Sequence, residues 1–347
     1  MKNPSTSEAS RTDTDSANPP QRLLTFSSGG WVLLIAFILT CLSAFLVLKP
    51  VFDTGFHQAI GDGHNPDTYG FDLSNLSIPR DQLIASGKPK DAVRAVPAAL
   101  VETLTVPEVD LMNQHEYVPF LLPSDKVIAL TINNESRAYP LRLLNVHEIV
   151  NDMLGGSNGT PIAVTWSPLC GSAAVFQRPD AQTEFGVSGL LYNSNLILFD
   201  RHVDPKQESL WPQLFFHAIA GPSVGKSLTL LPFELTTWKD WSTRHPDTQV
   251  FRGLRTLAHD YNDAQDPYNL YLNNDDLKFP VTPLPPFHTL PLKTPIILTT
   301  TDMLHWKATL LSTPAATTQP NGLKLYSFLF AWYAQHPNDT DYSTITR

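Results

Sequence analysis

The first change in the pattern of apolar and polar positions comes near residue 23. Residues 1–21 are rich in Ser, Thr, Asp, Asn and Pro and hold few large apolar side chains, which is typical of disorder. Arg22 and Lys49 then bracket 26 residues without a charge. About 20 apolar residues in a helix cross a hydrocarbon core about 30 Å thick. The pattern predicts a disordered tail at 1–26 and a transmembrane helix in the lipid bilayer at 27–49.

Beyond the span the pattern predicts short strands joined by turns. An extended entry segment is expected at 50–100, a domain at 101–347 and a loop at 255–290. The Asn133-Asn134 pair predicts a tight hairpin turn between strands at 127–132 and 137–139. Further strands are predicted at 161–166, 173–177, 183–187, 196–199 and 228–231.

Two short helices are predicted among these strands. Apolar residues at 146, 149, 150 and 153 favour a helix over 143–154, ended by Gly155-Gly156. Thr237 is a candidate N-cap for a helix from Trp238 to Arg244. The expected fold is therefore α+β, with β-rich mixed or antiparallel sheets and a few short helices, preceded by the transmembrane helix.

One short sequence occurs twice in the predicted domain. The run Trp241-Ser-Thr-Arg-His-Pro-Asp-Thr248 is similar to Trp332-Tyr-Ala-Gln-His-Pro-Asn-Asp-Thr340, with one insertion. The similarity favours two related lobes, at about 101–250 and 281–347.

The charge distribution predicts an orientation for the chain. Lys2, Arg11 and Arg22 precede the span, and no Lys or Arg lies between Lys49 and Arg80. The positive-inside rule places the N-terminus in the cytoplasm and the domain in the periplasm or outside the cell. Without the four basic and three acidic residues up to Lys49, the chain has 20 basic and 30 acidic residues, a net charge of −10. An acidic domain argues against nucleic acid as a partner.

A phosphate loop is absent from the sequence despite a superficial match. Gly221-Pro-Ser-Val-Gly-Lys-Ser227 has three residues between its glycines where the Walker motif needs four. The residues that follow have a strand pattern, so no helix N-terminus is expected to hold phosphate. We therefore expect no nucleotide to bind.

The clearest candidate chemistry lies in the turn Ser167-Pro-Leu-Cys-Gly171. The first and fourth residues of a tight turn lie within about 7 Å, the spacing that Cys-x-x-Cys sites use for disulfides or shared metals. The chain has only two cysteines, Cys41 in the predicted span and Cys170 here. Three alternatives stay open for Cys170: a buried structural thiol, a copper or zinc ligand, and a reactive thiol.

His147 is the candidate partner of Cys170, with Ser167, Glu148 and His202 as further candidate neighbours. The predicted helix lies one strand before the turn, so packing of helix on sheet would bring the imidazole to the thiol. A nearby imidazolium or metal would depress the pKa of the thiol. The alternative for His147 is a helix histidine bonded to a backbone carbonyl.

Several segments resemble the family of domains of unknown function numbered 3179. They are Ser86-Gly-Lys-Pro-Lys-Asp91, Glu135-Ser-Arg-Ala-Tyr-Pro-Leu141, Leu144-Asn-Val-His-Glu-Ile-Val-Asn-Asp152, Thr165-Trp-Ser-Pro-Leu-Cys-Gly171, Phe185-Gly-Val-Ser-Gly-Leu-Leu-Tyr-Asn-Ser194, Asp200-Arg201, Glu208-Ser-Leu-Trp211 and Arg244-His-Pro-Asp-Thr248. The resemblance implies no activity. Where the family usually has a first cysteine in the turn this chain has Ser167, and Val146 replaces the family's Trp before the helix histidine.

Two functions from different classes follow. The first is a membrane-anchored extracytoplasmic protein with a metal- or thiol-dependent site at the turn. The second is a scaffold or accessory subunit of a membrane complex, in which Cys170 serves only the fold.

Overall fold

The chain divides into two compact units, Met1–Gln58 and Ala59–Arg347. The computed structural model describes residues 31–32, 34–40, 43, 60–115, 119–156, 158–254, 268–286, 290–311 and 322–345. In the first unit the described residues are helical and their side chains are exposed. Among the described residues, no helix combines the length and apolar character needed to cross a bilayer. The remaining residues of the predicted span 27–49, and the predicted tail 1–26, lie outside the described residues.

A five-stranded mixed sheet in the second unit is built around the predicted hairpin. Asn133 and Asn134 both have positive φ angles, 49° and 66°, which match the right-handed twist of the strands that they join. The strands are β2 Thr103–Thr105, β3 Lys126–Ile132, β4 Glu135–Pro140, β12 Glu234–Thr237 and β13 Gln249–Phe251. They pair in the order β12-β3-β4-β13-β2, with β13 parallel to β4.

An eight-stranded sheet forms the largest layer. The strands are β5 Ile149–Leu154, β6 Thr160–Ser167, β7 Ser172–Gln177, β11 Thr229–Leu230, β14 Pro295–Thr300, β15 Trp306–Leu310, β16 Leu323–Phe328 and β17 Thr340–Asp341. Their order is β17-β15-β14-β16-β7-β6-β5, with β11 paired to β7 off this path. All these pairs are antiparallel except β15 with β17.

A four-stranded antiparallel sheet completes the fold, with strands β1 Leu83–Ala85, β8 Phe185–Tyr192, β9 Asn195–Asp200 and β10 Leu210–Pro212. They pair in the order β1-β8-β9-β10. Both β8 and β9 are buried along their whole length, so they cross the interior of the unit. The helices are short: α1 Val106–His115, α2 Leu141–His147, α3 Trp238–Arg244, α4 Asn269–Leu272 and α5 Leu329–Tyr333. The predicted α+β, β-rich architecture is confirmed.

The helix predicted over 143–154 is wrong in its second half. Helix α2 ends at His147, Glu148 takes a positive φ of 56°, and Ile149 begins strand β5. The apolar spacing was compatible with either element, and the six-residue pairing of β5 with β6 favours the strand. Gly155 and Gly156 do have positive φ angles, but they lie in the connection from β5 to β6 rather than at a helix end.

The two similar runs, Trp241–Thr248 and Trp332–Thr340, adopt the same local structure. The Trp241 and His245 rings stack with centroids 3.8 Å apart, and the indole N–H donates to Thr248 Oγ1 at 2.9 Å. The Trp332 and His336 rings stack at 3.9 Å, and that indole donates to Thr340 Oγ1 at 2.9 Å. Each run also leads from a short helix into a strand that pairs in parallel, β13 with β4 and β17 with β15. The shared residues therefore specify a recurring way of ending a helix and starting a strand.

Candidate functional site

The turn at residues 167–171 is a tight connection between two strands of the large sheet. Strand β6 ends at Ser167, and Pro168 starts a single turn of 3₁₀ helix over Pro168–Cys170. Gly171 then takes a left-handed φ of 52°, and the Phe328 ring lies 2.7 Å from where a Cβ would be. The left-handed backbone angle and the nearby ring together favour glycine at this position. The predicted sharp turn is confirmed.

Cys170 is fully buried at the end of this turn. Burial raises the pKa of its thiol to about 12; hydrogen bonds with Asn195 and Ser167 oppose the rise, and the nearby Glu148 carboxylate adds to it. This direction is opposite to the depressed pKa predicted for a thiol beside an imidazolium or a cation. Because a thiol with a strongly raised pKa is protonated at neutral pH, this environment favours the structural-thiol alternative over the reactive-thiol alternative.

Asn195 reaches the thiol from β9 because a buried amide network holds it. Its side-chain oxygen accepts the Leu214 N–H at 2.9 Å, and its side-chain nitrogen donates to Gln213 Oε1 at 3.1 Å. Gln213 in turn donates to Thr165 Oγ1 at 2.9 Å. A network whose buried members are all hydrogen-bonded fixes side-chain positions. The surroundings of Cys170 are therefore rigid.

The structure gives His147 and His202 partners of their own. The His147 ring is buried edge-on to Phe251, and its Nδ1 lies 2.7 Å from the Arg94 carbonyl oxygen. His147 is not among the groups that shift the pKa of Cys170. The Nε2 of His202 lies 3.9 Å from Asp200 Oδ2. Within the described part of the chain, no three His, Cys, Asp or Glu side chains form a group that could hold a metal ion. The pairing of His147 with Cys170 stays a prediction.

Glu148, predicted only as a neighbour, is held in place by its backbone. Its N–H donates to the Leu144 carbonyl at 2.7 Å, and its carbonyl accepts the Trp166 N–H at 2.8 Å. These bonds hold φ at 56°, a region that non-glycine residues seldom occupy and that often occurs at functional sites. The Tyr268 hydroxyl donates to the side-chain Oε1 of Glu148 at 3.0 Å.

The carboxyl of Glu148 has an unusual pKa. Burial raises it from 4.5 to about 7, while the Tyr268 hydrogen bond and the positive charge of Lys88 limit the rise. Burial of the carboxyl group has the largest effect on this pKa, although the residue as a whole is only partly buried. At neutral pH the carboxyl therefore exists in comparable protonated and ionised fractions.

Glu148 lines a cavity of about 210 Å³. Lys88, Lys278 and Ser86 supply further polar groups to the wall. Apolar side chains make up most of the remainder, including Val93, Leu169, Val187, Leu190, Leu196 and Phe279. A few convergent polar groups in an apolar cavity, one of them with a perturbed pKa, are typical of a small-molecule site.

Gly189 sets the shape of this cavity. It lies in an irregularity of β8, with a φ of 78°, and a Cβ there would lie 2.7 Å from the Lys88 carbonyl oxygen. The close approach is fixed by backbone bonds on either side, from Ser86 N–H to the Gly189 carbonyl and from Asp91 N–H to the Val187 carbonyl. The segment that carries Lys88 thus packs directly against β8.

Sequence reasoning missed most of these residues. Lys88, Tyr268 and Asn195 are far apart in the chain, and no local pattern connects them with Glu148 or Cys170. One signal was available, since Ser86, Lys88, Glu148, Leu169 and Gly189 all lie in the segments that carry the family resemblance.

Comparison with known proteins supports that resemblance. The chain matches the family described as "Protein of unknown function (DUF3179)" over residues 103–341. No curated protein and no solved structure matches the chain. The match spans well over half of the sequence and includes Glu148, the turn and most of the cavity wall. The chain therefore belongs to the DUF3179 family.

Proposed function

We propose that the domain binds a small organic acid in the Glu148 cavity and that the Glu148 carboxyl exchanges a proton with it. The observation that carries this proposal is the pKa of about 7 in a largely apolar cavity. A group titrating near the working pH is the most effective general acid or base, because both of its protonation states are available.

The remaining wall supports an anionic ligand with an apolar body. Lys88 and Lys278 are exposed and would attract a carboxylate, whereas the leucine and valine side chains would contact its hydrocarbon part. The volume of about 210 Å³ is below the roughly 300–1,000 Å³ of sites for drug-sized molecules. The ligand is therefore a small metabolite rather than a nucleotide or a peptide.

Tyr268 and Glu148 would have different roles in binding the ligand. Tyr268 orients the Glu148 carboxyl through the hydrogen bond to Oε1. When protonated, Glu148 donates a hydrogen bond to the bound carboxylate; when ionised, it repels that carboxylate.

Calorimetric titration of the full-length protein with benzoate tests the proposal. If benzoate binds only the protonated form, its dissociation constant should be about tenfold larger at pH 8 than at pH 6, because the competent fraction falls by that factor. Glu148→Gln should keep the binding and remove the pH dependence. Lys88→Ala should weaken binding at both pH values, whereas Lys239→Ala, an exposed lysine on α3 away from the cavity, should not.

Two results would contradict the proposal. One is absence of benzoate binding at pH 6, which would favour the scaffold alternative. The other is a pH dependence that persists in Glu148→Gln, which would assign the titration to another group.

A metal ion at the turn is a second candidate function. The observation in its favour is the Glu148 carboxylate, which lies close enough to Cys170 to raise the thiol's pKa. A copper or zinc ion would accept sulfur and oxygen ligands here and would displace the thiol proton. Metal analysis of the purified full-length protein against Cys170→Ala tests this candidate, and equal metal content in both proteins would exclude it.

The same proposal includes the location of the domain. We propose that residues 27–49 tether it to a membrane, with the domain outside the cytoplasm. The support is the charge-free stretch between Arg22 and Lys49 and the basic residues before it.

A further inference from the structure

One side of the Glu148 cavity is formed by a strap of surface residues, 268–279. Tyr268, Lys278 and Phe279 are the lining residues that the strap supplies, and the rest of the lining comes from other parts of the chain. Helix α4 lies within the strap, and no residue of this segment is buried. A segment with few buried apolar contacts can open at a low cost in free energy.

Two tyrosines of the strap bond to the opposite wall of the cavity. The Tyr268 hydroxyl donates to Glu148 Oε1 at 3.0 Å, and the Tyr271 hydroxyl donates to the Leu169 carbonyl oxygen at 2.8 Å. Both acceptor residues line the cavity. The strap is therefore closed over Glu148 in this structure, and side-chain hydrogen bonds hold it there.

The middle and the C-terminal end of the strap are fixed to the rest of the domain. Lys293, which is 8% exposed, donates from Nζ to the carbonyl oxygens of Tyr271 at 2.5 Å and Asn274 at 2.9 Å. The Ser194 hydroxyl donates to the Phe279 carbonyl oxygen at 3.2 Å. These bonds leave the N-terminal end of the strap as the part that can move away from the cavity.

The charge of Glu148 bears on this movement. The groups that act on the carboxyl are Tyr268 from the strap, Lys88 from the segment beside β8 and Cys170 from the turn, and the exposed Lys278 lines the same cavity. Burial disfavours the ionised carboxyl more strongly than Tyr268 and Lys88 favour it. Opening the strap would admit water to the carboxyl and remove that penalty. Ionisation therefore favours the open strap, and protonation favours the closed one.

We propose that residues 268–279 close over the cavity when Glu148 is protonated and open when Glu148 is ionised. The inference rests on the proposed function, because it assigns to the strap the retention and release of the same small acid. Ionisation would repel the bound carboxylate and open the strap together. One proton would then control both the affinity of the site and access to it.

The pH range of the movement follows from the pKa of Glu148 in the two states. This pKa is about 7 with the strap closed, and an open, hydrated carboxyl should return to the usual 4.5. Because the pKa is higher in the closed state, the preference for closure is complete below pH 4.5 and is lost as the pH rises to about 7. The ratio of open to closed strap should therefore rise about tenfold from pH 6 to pH 8.

The distance between two nitroxide labels, measured by pulsed electron paramagnetic resonance on the ligand-free full-length protein, tests the proposal. One label is placed on the strap by Leu270→Cys, where the native side chain is 86% exposed, and one on α3 by Lys239→Cys. Cys41→Ser removes the other accessible thiol, since Cys170 is buried. A second distance should appear and gain population from pH 6 to pH 8. Labels at Lys206→Cys and Lys239→Cys, both outside the strap, should keep one distance.

Two variants separate the effect of the carboxyl from that of the anchor. Glu148→Gln keeps an oxygen acceptor for Tyr268 but carries no charge, so the strap should stay closed at both pH values. Lys293→Ala removes the anchor and should raise the ratio of open to closed strap at least about tenfold at both pH values, since it removes hydrogen bonds from a charged group. Lys307→Ala, an exposed lysine on β15, is the matched control and should change nothing.

Three results would overturn the proposal: one unchanged distance at pH 6 and pH 8, an open population that grows as the pH falls, or the same pH dependence in Glu148→Gln. The proposed function fails separately. If benzoate binds with the expected pH dependence while the strap stays fixed, the binding site stands and the strap inference is wrong. If the strap moves as expected but benzoate does not bind, the strap inference stands and the ligand assignment is wrong.

Discussion

Burial acts on two neighbouring ionisable residues with different consequences at neutral pH. It disfavours the charged form of both and raises the pKa of Cys170 to about 12 and that of Glu148 to about 7. The thiol therefore remains protonated across the physiological range, whereas the carboxyl gains and loses its proton within it.

The Cys170 thiol should be unreactive in the native protein. In a Cys41→Ser variant it is the sole thiol, so its reaction with a chromogenic disulfide reagent can be followed without ambiguity. Because it is buried and protonated, we expect modification at pH 8 to be at least about a hundredfold slower than in the denatured protein. Rapid modification under native conditions would instead support the reactive-thiol alternative.

At the scale of single elements, the sequence predicted the turns and caps that depend on neighbouring residues. The Asn133-Asn134 hairpin, the helix capped by Thr237 and the turn ending at Gly171 were all predictable, because each depends on residues next to one another in the chain. Strand β5, which follows Glu148, was not predictable in this way. Its apolar residues have a helical spacing, but its pairing with β6 makes it a strand. The Glu148 site could not be assembled from the sequence, since Tyr268 and Lys88 reach it through tertiary contacts.

Strand β8 and the Lys88 segment should be sensitive to one methyl group at Gly189. Gly189→Ala meets both a positive φ and the Lys88 carbonyl 2.7 Å from its Cβ, so we expect the free energy of unfolding to fall by about 3 kcal/mol. Gly225→Ala is the matched control, because φ is 82° there but no atom lies within 4 Å of the Cβ. It should cost only about 1 kcal/mol. Urea unfolding measures both, and equal losses would show that the contact with the Lys88 segment does not matter.

At the scale of the whole molecule, the membrane proposal places the domain and its Glu148 cavity outside the cytoplasm. A reporter that is active on only one side of the membrane, fused after Arg347, should give the external signal, and the protein should remain with the membrane fraction. The same fusion lacking residues 27–49 is the control and should be soluble. A cytoplasmic signal from the complete chain would contradict the membrane proposal while leaving the Glu148 site untouched.

The proposed function depends most on the pKa of the Glu148 carboxyl, and carbon-13 NMR of that carboxyl measures this pKa directly. The signal is assigned by its loss in Glu148→Gln and is followed across a pH titration of the ligand-free protein. We expect the titration of the carboxyl to have its midpoint near pH 7, with the protonated form dominant at pH 6 and the ionised form dominant at pH 8. A midpoint at or below 4.5, the usual value for a glutamate, would contradict it and remove the basis for proton exchange in the cavity.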